Sequence, residues 1–224
     1  MAIALVASTV KGTAINGGTT DAIDTTGANL IVLAINQYSN MSVTASDSKG
    51  NTWTALTARK GVGGFGTTLY YCASPSVGSG HTFTVSGTGA YPNIGVIAVS
   101  GAAASPFDSQ AGNFAGTTST SHQPGSLTPS EDNCLVISSN GNGGTSISIN
   151  SSFTASTVNN TGGSYVGGGI AYKIQTTAGA ENPTWSWTTS TVRASAIASF
   201  KAAAGGGGSA ALLLANAAYF GRQL

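Results

Sequence analysis

Charged side chains are scarce in this chain of 224 residues, where Asp, Glu, Lys and Arg together make up only 7%. An ordinary soluble domain has about 25%. Seven acids and eight bases leave a formal net charge of +1, so the concentrated basic surface of a nucleic-acid-binding protein is not expected. No apolar run approaches the roughly 18 residues of a membrane span, and the first residues lack the basic segment of a signal peptide. The sequence therefore predicts neither a nucleic-acid partner nor a membrane segment.

Histidine and cysteine are also rare, with two of each. His81 begins a predicted strand, and His122 lies in a predicted loop where we expect solvent around it. Neither is placed by sequence beside a nucleophile, as a catalytic base would have to be. Cys72 and Cys134 lie in apolar strand-like runs, which is typical of buried thiols, and no neighbouring Cys or His completes a zinc site. A disulfide between them stays open, because sequence does not fix the separation of their Cα atoms.

The few acidic residues are explained by turns and loops. Asp47 opens the turn DSKGNTW, in which Asp and Asn can cap the backbone and Gly supplies a positive φ. Asp21 and Asp24 could bind Ca²⁺ together with nearby carbonyls, although a solvated loop explains them at least as well. A hydrolase would require Asp47, Asp108 or His81 to converge in a cleft. We therefore predict no catalytic residues, no bound metal and no cofactor.

Glycine is abundant, at 32 residues, and Ser and Thr are plentiful. Short runs of strand-forming residues alternate with Gly, Asn, Asp and Pro turns, which predicts an all-β chain. One segment departs from this rhythm: the residues from Ala102 to Asp132 are predicted to form a long crossover punctuated by proline. The predicted strands are Ala2–Val10, Leu30–Gln37, Ser42–Ser46, Thr52–Thr57, Thr67–Ala73, Thr82–Ser86, Asn93–Ser100, Cys134–Ser139, Ser146–Ile149, Phe153–Val158, Val166–Ile174, Thr184–Thr188 and Ala194–Phe200.

The strands before and after this crossover look like two copies of one plan. Four segments recur in the same order, about a hundred residues apart, and such a repeat indicates duplication. They pair NLIVLA (29–34) with NCLVIS (133–138), LYYCAS (69–74) with IAYKIQ (170–175), GSGHTFTVSG (78–87) with GAENPTWSWT (179–188), and IGVIAVSGAA (94–103) with SAIASFKAA (195–203). We predict a two-sheet jelly-roll-like sandwich with an internal duplicated strand pattern, forming one domain over residues 1–203. Two small tandem sandwiches are the alternative.

Several of these segments also resemble a known module. The succession LIVLAI, VTASDSKGNTWTAL, LYYCASPSVGSGHTFTVSG, IGVIAVSGAA and PFDSQAG resembles a jelly-roll-like β-sandwich module of bacteriophage virion and bacterial surface proteins. The resemblance covers the chain from Leu5 to Ala203, and its motifs are structural. It implies a sandwich fold and a display role, and it implies no reaction.

Aromatic residues offer one candidate binding face. Trp185 and Trp187 are two residues apart and so face the same side of one strand. Together with Tyr165 they could stack on a glycan, or they could fill the core or a subunit interface. We favour the core or interface, the more common environment of Trp in a sandwich.

The C-terminal end has a different composition from the rest. Residues 204–209 form a Gly-rich linker, and residues 210–224 form an apolar tail. In the tail, Leu212, Ala215 and Tyr219 fall at helical spacing, but a helix this short is marginal in water without a partner. We predict a docking or oligomerisation segment, whose partner-contacting residues are Leu212, Leu213, Leu214, Tyr219, Phe220 and Arg222.

Together these features predict a non-enzymatic structural protein of a bacteriophage virion. A capsid decoration or head-fibre protein is favoured, attached to other capsid or tail proteins through its C-terminal tail and associating as a homo-oligomer such as a trimer. A tail or baseplate accessory protein is the first alternative. The second is a carbohydrate-binding module or adhesin that binds host surface glycans.

Overall fold

The computed structural model describes residues 2–13, 15–38, 40–158 and 166–204, and every regular element in these ranges is a β-strand. The predicted all-β class is therefore confirmed. Among these residues there is no helix with the length and apolarity needed to cross a membrane. The strands are β1 (Ala4–Gly12), β2 (Gly17–Thr19), β3 (Leu30–Tyr38), β4 (Thr44–Asp47), β5 (Thr54–Ala55), β6 (Phe65–Ala73), β7 (Phe83–Ser86), β8 (Asn93–Ser100), β9 (Ala102–His122), β10 (Leu135–Asn142), β11 (Ser148–Ile149), β12 (Thr154–Val158), β13 (Gly167–Ile174) and β14 (Trp185–Ala202).

The strands form two large antiparallel sheets and one small one. The first large sheet has the order β1-β8-β3-β6-β5. The second has the order β9-β14-β10-β13-β12, and β11 pairs with the first residues of β14. The small sheet, β2-β7-β4, belongs to the first half of the chain. Strand by strand, the first large sheet corresponds to the second, so the predicted duplication is present in the pairing itself.

The pairing also corrects the predicted alignment of the two halves. Leu30 of β3 pairs with Val99 of β8, and Leu135 of β10 pairs in the same way with Phe200 of β14. Aligning NLIVLA with NCLVIS makes Cys134 the counterpart of Leu30. The pairing shows that the counterpart is Leu135, one residue later, so the predicted alignment is wrong. A slip of one residue turns a strand's buried face outward, and in the structure Leu30 and Leu135 both face the same core.

Three apolar clusters hold these sheets together. The central core lies between the two large sheets and draws residues from both halves, including Leu30, Val32, Ile97, Leu135, Ile137, Ile170 and Phe200. The first outer core lies between the first large sheet and the small sheet, and includes Ile31, Leu33, Phe83, Val85 and Val96. The second outer core, on the far face of the second sheet, includes Leu127, Val136, Phe153, Trp185 and Trp187. Burial on both faces explains why β3 and β10 read as nearly continuous apolar or small-residue runs.

The two halves contact each other reciprocally across the central core. β8 of the first half packs on β13 of the second half. In the same way β14, which corresponds to β8, packs on β6, which corresponds to β13. β3 and β10 face each other and run in the same direction. At their carboxyl ends, polar bonds join the sheets, with Asn93 Nδ2 donating to Val166 O at 3.0 Å and Thr67 Oγ1 bonded to Ser139 Oγ at 2.8 Å. The body therefore has an approximate two-fold axis along its strands, like a homodimer fused into one chain.

The predicted crossover from Ala102 to Asp132 is wrong over most of its length. Residues Ala102–His122 form β9, the longest strand of the described part. β9 pairs only with β14 and is therefore an edge strand. It takes the place that β1 and β2 occupy in the first half, and an edge strand tolerates Pro106, which has no N–H to donate. The sequence does not predict β9, because an edge strand buries little of its surface and so has only a weak apolar pattern.

Candidate functional site

Three residues of the first half form a chain of hydrogen bonds with the composition of a hydrolytic triad. His81 Nε2 lies 3.1 Å from Asp47 Oδ1, and His81 Nδ1 lies 2.9 Å from Thr25 Oγ1. Gly78 N donates to the same Thr25 oxygen at 3.1 Å. The bridge between Ile23 and His81 brings the segment that carries Thr25 beside the start of β7. The structure thus unites Asp47 and His81, two of the three residues that a hydrolase would need.

This network is sealed inside the protein. The side chains of Asp47 and His81 have no exposed surface, and Thr25 is also fully buried. The His81 ring stacks on Phe83 with centroids 4.2 Å apart. No substrate can reach a nucleophile here without unfolding the turn, so we assign the network a structural role.

Asp47 organises the predicted turn that follows it. Its carboxylate accepts hydrogen bonds from Lys49 N at 2.8 Å and Trp53 Nε1 at 2.9 Å. Asn51 also donates to it, through Nδ2 at 3.2 Å. Gly50 adopts a φ of +73°, the left-handed conformation that a glycine accepts without strain. The turn prediction is confirmed, and the buried carboxylate is its organising group.

Asp108 lies in a separate cluster on β9. It accepts from Ser130 Oγ at 2.6 Å and from Ser199 Oγ at 2.7 Å, and Lys201 Nζ lies 3.8 Å away. Burial alone would raise the pKa of Asp108, but these hydrogen bonds and the lysine charge outweigh it, and the pKa is lowered. Asp108 shares no contact with the Asp47–His81 network, so the three residues do not form one catalytic cleft.

The carboxylates considered for Ca²⁺ have other partners. Asp21 forms an ion pair with Lys11 at 3.0 Å. Asp24 accepts from the hydroxyl of Thr26 at 2.6 Å and from its backbone N–H at 2.9 Å, and these bonds lower the pKa of Asp24. Within the described ranges, no three His, Cys, Asp or Glu residues are grouped as a metal site would require.

The two cysteines are buried, free thiols, as favoured from the sequence. Cys134 has no exposed surface and Cys72 is 8% exposed. Burial raises the pKa of both thiols, and the nearby charges of Asp47 and Asp108 raise it further at Cys72 and Cys134 respectively. Such thiols are poor nucleophiles near neutral pH.

Trp185 and Trp187 belong to the second outer core. Their exposed fractions are 0% and 4%, and Trp185 Nε1 donates to Ser138 Oγ at 2.9 Å. Stacking on a glycan requires an exposed ring face, so the interpretation of these two residues as a glycan platform is wrong for this chain. They take the places of the core residues Phe83 and Val85 of the first half. Tyr165 and the tail residues Leu212, Leu213, Leu214, Tyr219, Phe220 and Arg222 lie outside the described residues.

A polar cavity on the flank of the second half has no signature in the sequence. Pairing between β9 and β14 is interrupted, since Ser186 lies opposite Ser121 while Thr191 lies opposite Ser119. Beside this break lies a cavity of about 510 Å³. It is lined by Asn113, Ser119, Ser121, His122, Gln123, Gly125, Asn182, Thr184 and Arg193.

His122 is a half-buried residue of the cavity wall, and the prediction that it lies in a loop is wrong. It ends β9 opposite Trp185, and its Nδ1 lies 3.0 Å from Ser195 Oγ. Burial and the positive charge of Arg193 lower the pKa of His122 to about 4. The imidazole is therefore neutral at neutral pH, where one ring nitrogen donates and the other accepts.

Arg193 provides the positive charge of the cavity. Its Nη1 donates to the carbonyl and hydroxyl oxygens of Thr117, and its Nε is buried with no partner in the described part of the chain. Burial lowers the pKa of Arg193, yet a guanidinium stays charged at physiological pH. Neither the register break nor this cavity has a signature in local sequence, because both arise from how two distant strands meet.

Comparison with protein-family models, with curated proteins and with solved structures finds no match for the chain. The resemblance to a virion module is therefore an expectation from sequence motifs alone.

Proposed function

We propose that this chain is a non-enzymatic structural protein of a bacteriophage virion, a capsid decoration or head-fibre protein. Residues 210–224 attach it to other virion proteins, and the sandwich is displayed outward. The proposal rests on the sequence of the tail and on one feature of the described body: its two ends differ in the way that display requires.

The end that carries the tail is close to Gly101. Ala203 N donates to Gly101 O at 2.7 Å, and this end is where β3 and β10 begin. A segment that continues past Ala204 leaves the body here, on the side that would face the particle. Glu131 and Asp132 line a cavity of about 520 Å³ at the same end, together with Ala2 and residues 202–204.

The opposite end carries exposed apolar side chains on loops. Tyr38 ends β3 there, and Ile15, Met41 and Val62 lie on adjoining loops of the first half. All four are exposed, Val62 most of all at 86%. Most large apolar side chains of the body are buried, so four exposed ones at one end favour a contact surface. Attachment at one end and contact at the other support a display role.

Three of the seven acidic side chains serve as internal braces. Asp47 holds a turn, Asp108 ties β9 to β14, and Glu181 accepts from Lys173 Nζ at 2.6 Å. This use leaves an exterior made mostly of Ser, Thr, Gly and backbone. Such a surface favours a structural role over electrostatic binding of nucleic acid.

The proposed attachment is tested by truncation after Ala204. We expect the truncated protein to keep the circular dichroism spectrum and unfolding midpoint of the full chain, and to lose co-sedimentation with particles that lack their own copy. A matched variant, L212A/L213A/L214A, should also lose binding while keeping the linker. Retained co-sedimentation of both variants would overturn attachment through the tail.

Association of copies is a separate part of the proposal. Light scattering after size exclusion measures the mass of the full chain in solution, and a mass of three chains is expected for a trimer. A monomeric mass at all accessible concentrations would contradict self-association in the absence of particles.

A tail or baseplate position is the alternative within the same proposal, because both locations offer repeated docking sites for an apolar tip. Immunogold labelling of intact particles separates them, since a decoration protein labels the whole capsid and a baseplate protein labels the tail tip.

A further inference from the structure

The two halves differ at the flank where the polar cavity lies. In the first half, Lys11 and Asp21 form an ion pair at 3.0 Å across this position. The pairing registers make Asn113 the counterpart of Lys11, because Lys11 lies opposite Ile94 of β8 and Asn113 lies opposite Ser195 of β14. Gln123 follows His122 as Asp21 follows Thr20, and these positions correspond because His122 lies opposite Trp185 and Thr20 N donates to Phe83 O. The ion pair of one half is thus replaced by two neutral amides in the other.

His122, which directly precedes Gln123, also differs from its counterpart in the first half. His122 stands where the first half has Thr20, since both lie at the same place relative to the aromatic residues Trp185 and Phe83. Arg193, which pairs with Ala115, stands where the first half has Pro92. A position that carries an exposed ion pair in one copy is therefore, in the other, lined by an arginine, a histidine and two amides.

The cavity offers hydrogen-bonding groups that the fold does not consume. Asn182 accepts from Gly125 N through Oδ1, which leaves its Nδ2 as a donor. Gln123 donates through Nε2 to Asn182 O, which leaves its Oε1 as an acceptor. Among the described residues, the Asn113 amide makes no hydrogen bond and Arg193 bonds only through Nη1, so Nη2 keeps both of its hydrogens there.

His122 contributes a neutral group to the same wall. Asn140 Nδ2 donates to Ser195 Oγ at 3.0 Å, so the hydroxyl hydrogen of Ser195 can be given to His122 Nδ1. The remaining ring nitrogen, Nε2, then carries the imidazole proton and is a donor. None of the residues lining the cavity is acidic, so a negatively charged ligand meets one cation and no opposing charge.

We propose that this cavity binds a carboxylated sugar residue of the uronic-acid or sialic-acid class. Nη2 of Arg193 can donate to a carboxylate oxygen, and the guanidinium charge balances that of the carboxylate. The surrounding amides and hydroxyls match the alternating donors and acceptors of a sugar ring. A simple anion site would need more positive charge, whereas a neutral sugar would leave Arg193 without a counter-ion. The site is an open depression of about 510 Å³, in which a sugar ring would keep one side in solvent. This inference goes beyond the proposed function and does not depend on the tail.

Titration of the full chain with glucuronic acid and with N-acetylneuraminic acid, followed by calorimetry or by chemical-shift changes, tests the proposal. We expect saturable binding of at least one of them, and binding at least about tenfold weaker for glucose, which lacks the carboxylate, and for acetate, which lacks the ring. Equal binding of acetate would show a plain anion site and overturn the sugar assignment. Equal binding of glucose, or no binding by either acidic sugar, would also overturn it.

Three variants locate the site. R193Q should weaken binding at least about tenfold, and R193K, which keeps the charge without the planar fork, should fall between R193Q and the unmodified chain. N113K/Q123D introduces the ion-pair residues of the first half and should block the cavity. K11Q is the matched control in the other half, and we expect it to leave binding unchanged. Unfolding midpoints confirm that each variant folds, and unaltered affinity in folded R193Q and R193K would place the ligand elsewhere.

Discussion

His81 donates from Nε2 to Asp47 Oδ1 across 3.1 Å, with both side chains removed from solvent. This pair connects the start of β7 to the turn after β4, so it fixes one edge of the small sheet over the first outer core. The counterpart position in the second half is Glu181, which bridges to Leu127 and accepts from Lys173 instead. The corresponding positions in the two halves are therefore stabilised by different polar contacts.

Removing the charge of Asp47 should destabilise the protein strongly. D47N keeps the shape of the side chain but points an amide at some of the donors that now surround the carboxylate. We expect a loss of about 2–4 kcal/mol in the free energy of unfolding, measured by urea denaturation at neutral pH. D21N is the control, because that carboxylate is exposed and its substitution should change stability by no more than about 0.5 kcal/mol. Equal effects of the two substitutions would contradict the structural role of Asp47.

Stability should fall as the pH is lowered from 6.5 toward 4, partly because of His122. Its folded pKa, about 4, lies below the ordinary histidine value of 6.5, so in this window the unfolded state binds more protons and acid favours unfolding. The stabilisation is complete above pH 6.5 and is lost as the pH falls through the folded pKa. The lowered pKa values of Asp24 and Asp108 act at still lower pH.

H122T, which introduces the residue found in the first half, isolates this contribution. The full shift would correspond to about 3 kcal/mol, but the ring is partly exposed, and we expect roughly 1–2 kcal/mol after solvent screening. Urea unfolding of both proteins at pH 7 and pH 4.5 measures it, and H122T should lose less stability between the two. Parallel pH profiles would show that the imidazole does not titrate abnormally.

Glycine at position 95 is needed for close packing of the two halves. A Cβ built there would lie 2.5 Å from Cγ2 of Ile170 across the central core. We expect G95A to cost about 1–3 kcal/mol through overpacking. I170V keeps Cγ2 and therefore the clash, whereas I170A removes Cγ2 and leaves the Cβ contact at 2.9 Å. G95A/I170A should therefore show a favourable coupling in a double-mutant cycle. Additive losses would mean that the halves do not meet at these residues.

The two tryptophans of the second outer core should respond differently to replacement by phenylalanine. Trp185 Nε1 donates to Ser138 Oγ, while Trp187 Nε1 is buried and has no hydrogen-bond partner among the residues that the structure describes. W185F loses a hydrogen bond and W187F loses none, so we expect W185F to cost about 1 kcal/mol more. Thermal unfolding followed by circular dichroism compares them, and a larger loss in W187F would contradict the placement of these indoles.

Strong apolar patterns made much of the fold predictable. β3 and β8 stand out in the sequence because each is buried on both faces, and the turn at Asp47 is marked by Asp, Gly and Asn at fitting positions. β9 was missed because an edge strand of Ser, Thr, Gly and Ala has no apolar signature. β14 was divided in two because its Thr-rich middle, between Trp187 and Ala194, resembles a turn.

The candidate sites were less predictable than the fold. A buried Asp–His pair depends on contacts between residues 34 positions apart, and sequence gave only their separate turn-forming roles. The polar cavity depends on a register break between β9 and β14 and on the difference between two duplicated flanks. That difference could be read only after pairing corrected the alignment of the halves by one residue.

The most direct test of the proposed function is quantitative mass spectrometry of purified phage particles from the source of this sequence. The measured quantity is the ratio of this chain to the major capsid protein after particles are separated from free protein on a density gradient. The account predicts a fixed ratio across preparations that persists through repeated purification, high for a capsid decoration protein and low for a fibre. Absence of the chain from such particles, or its loss on repurification, would contradict a virion role.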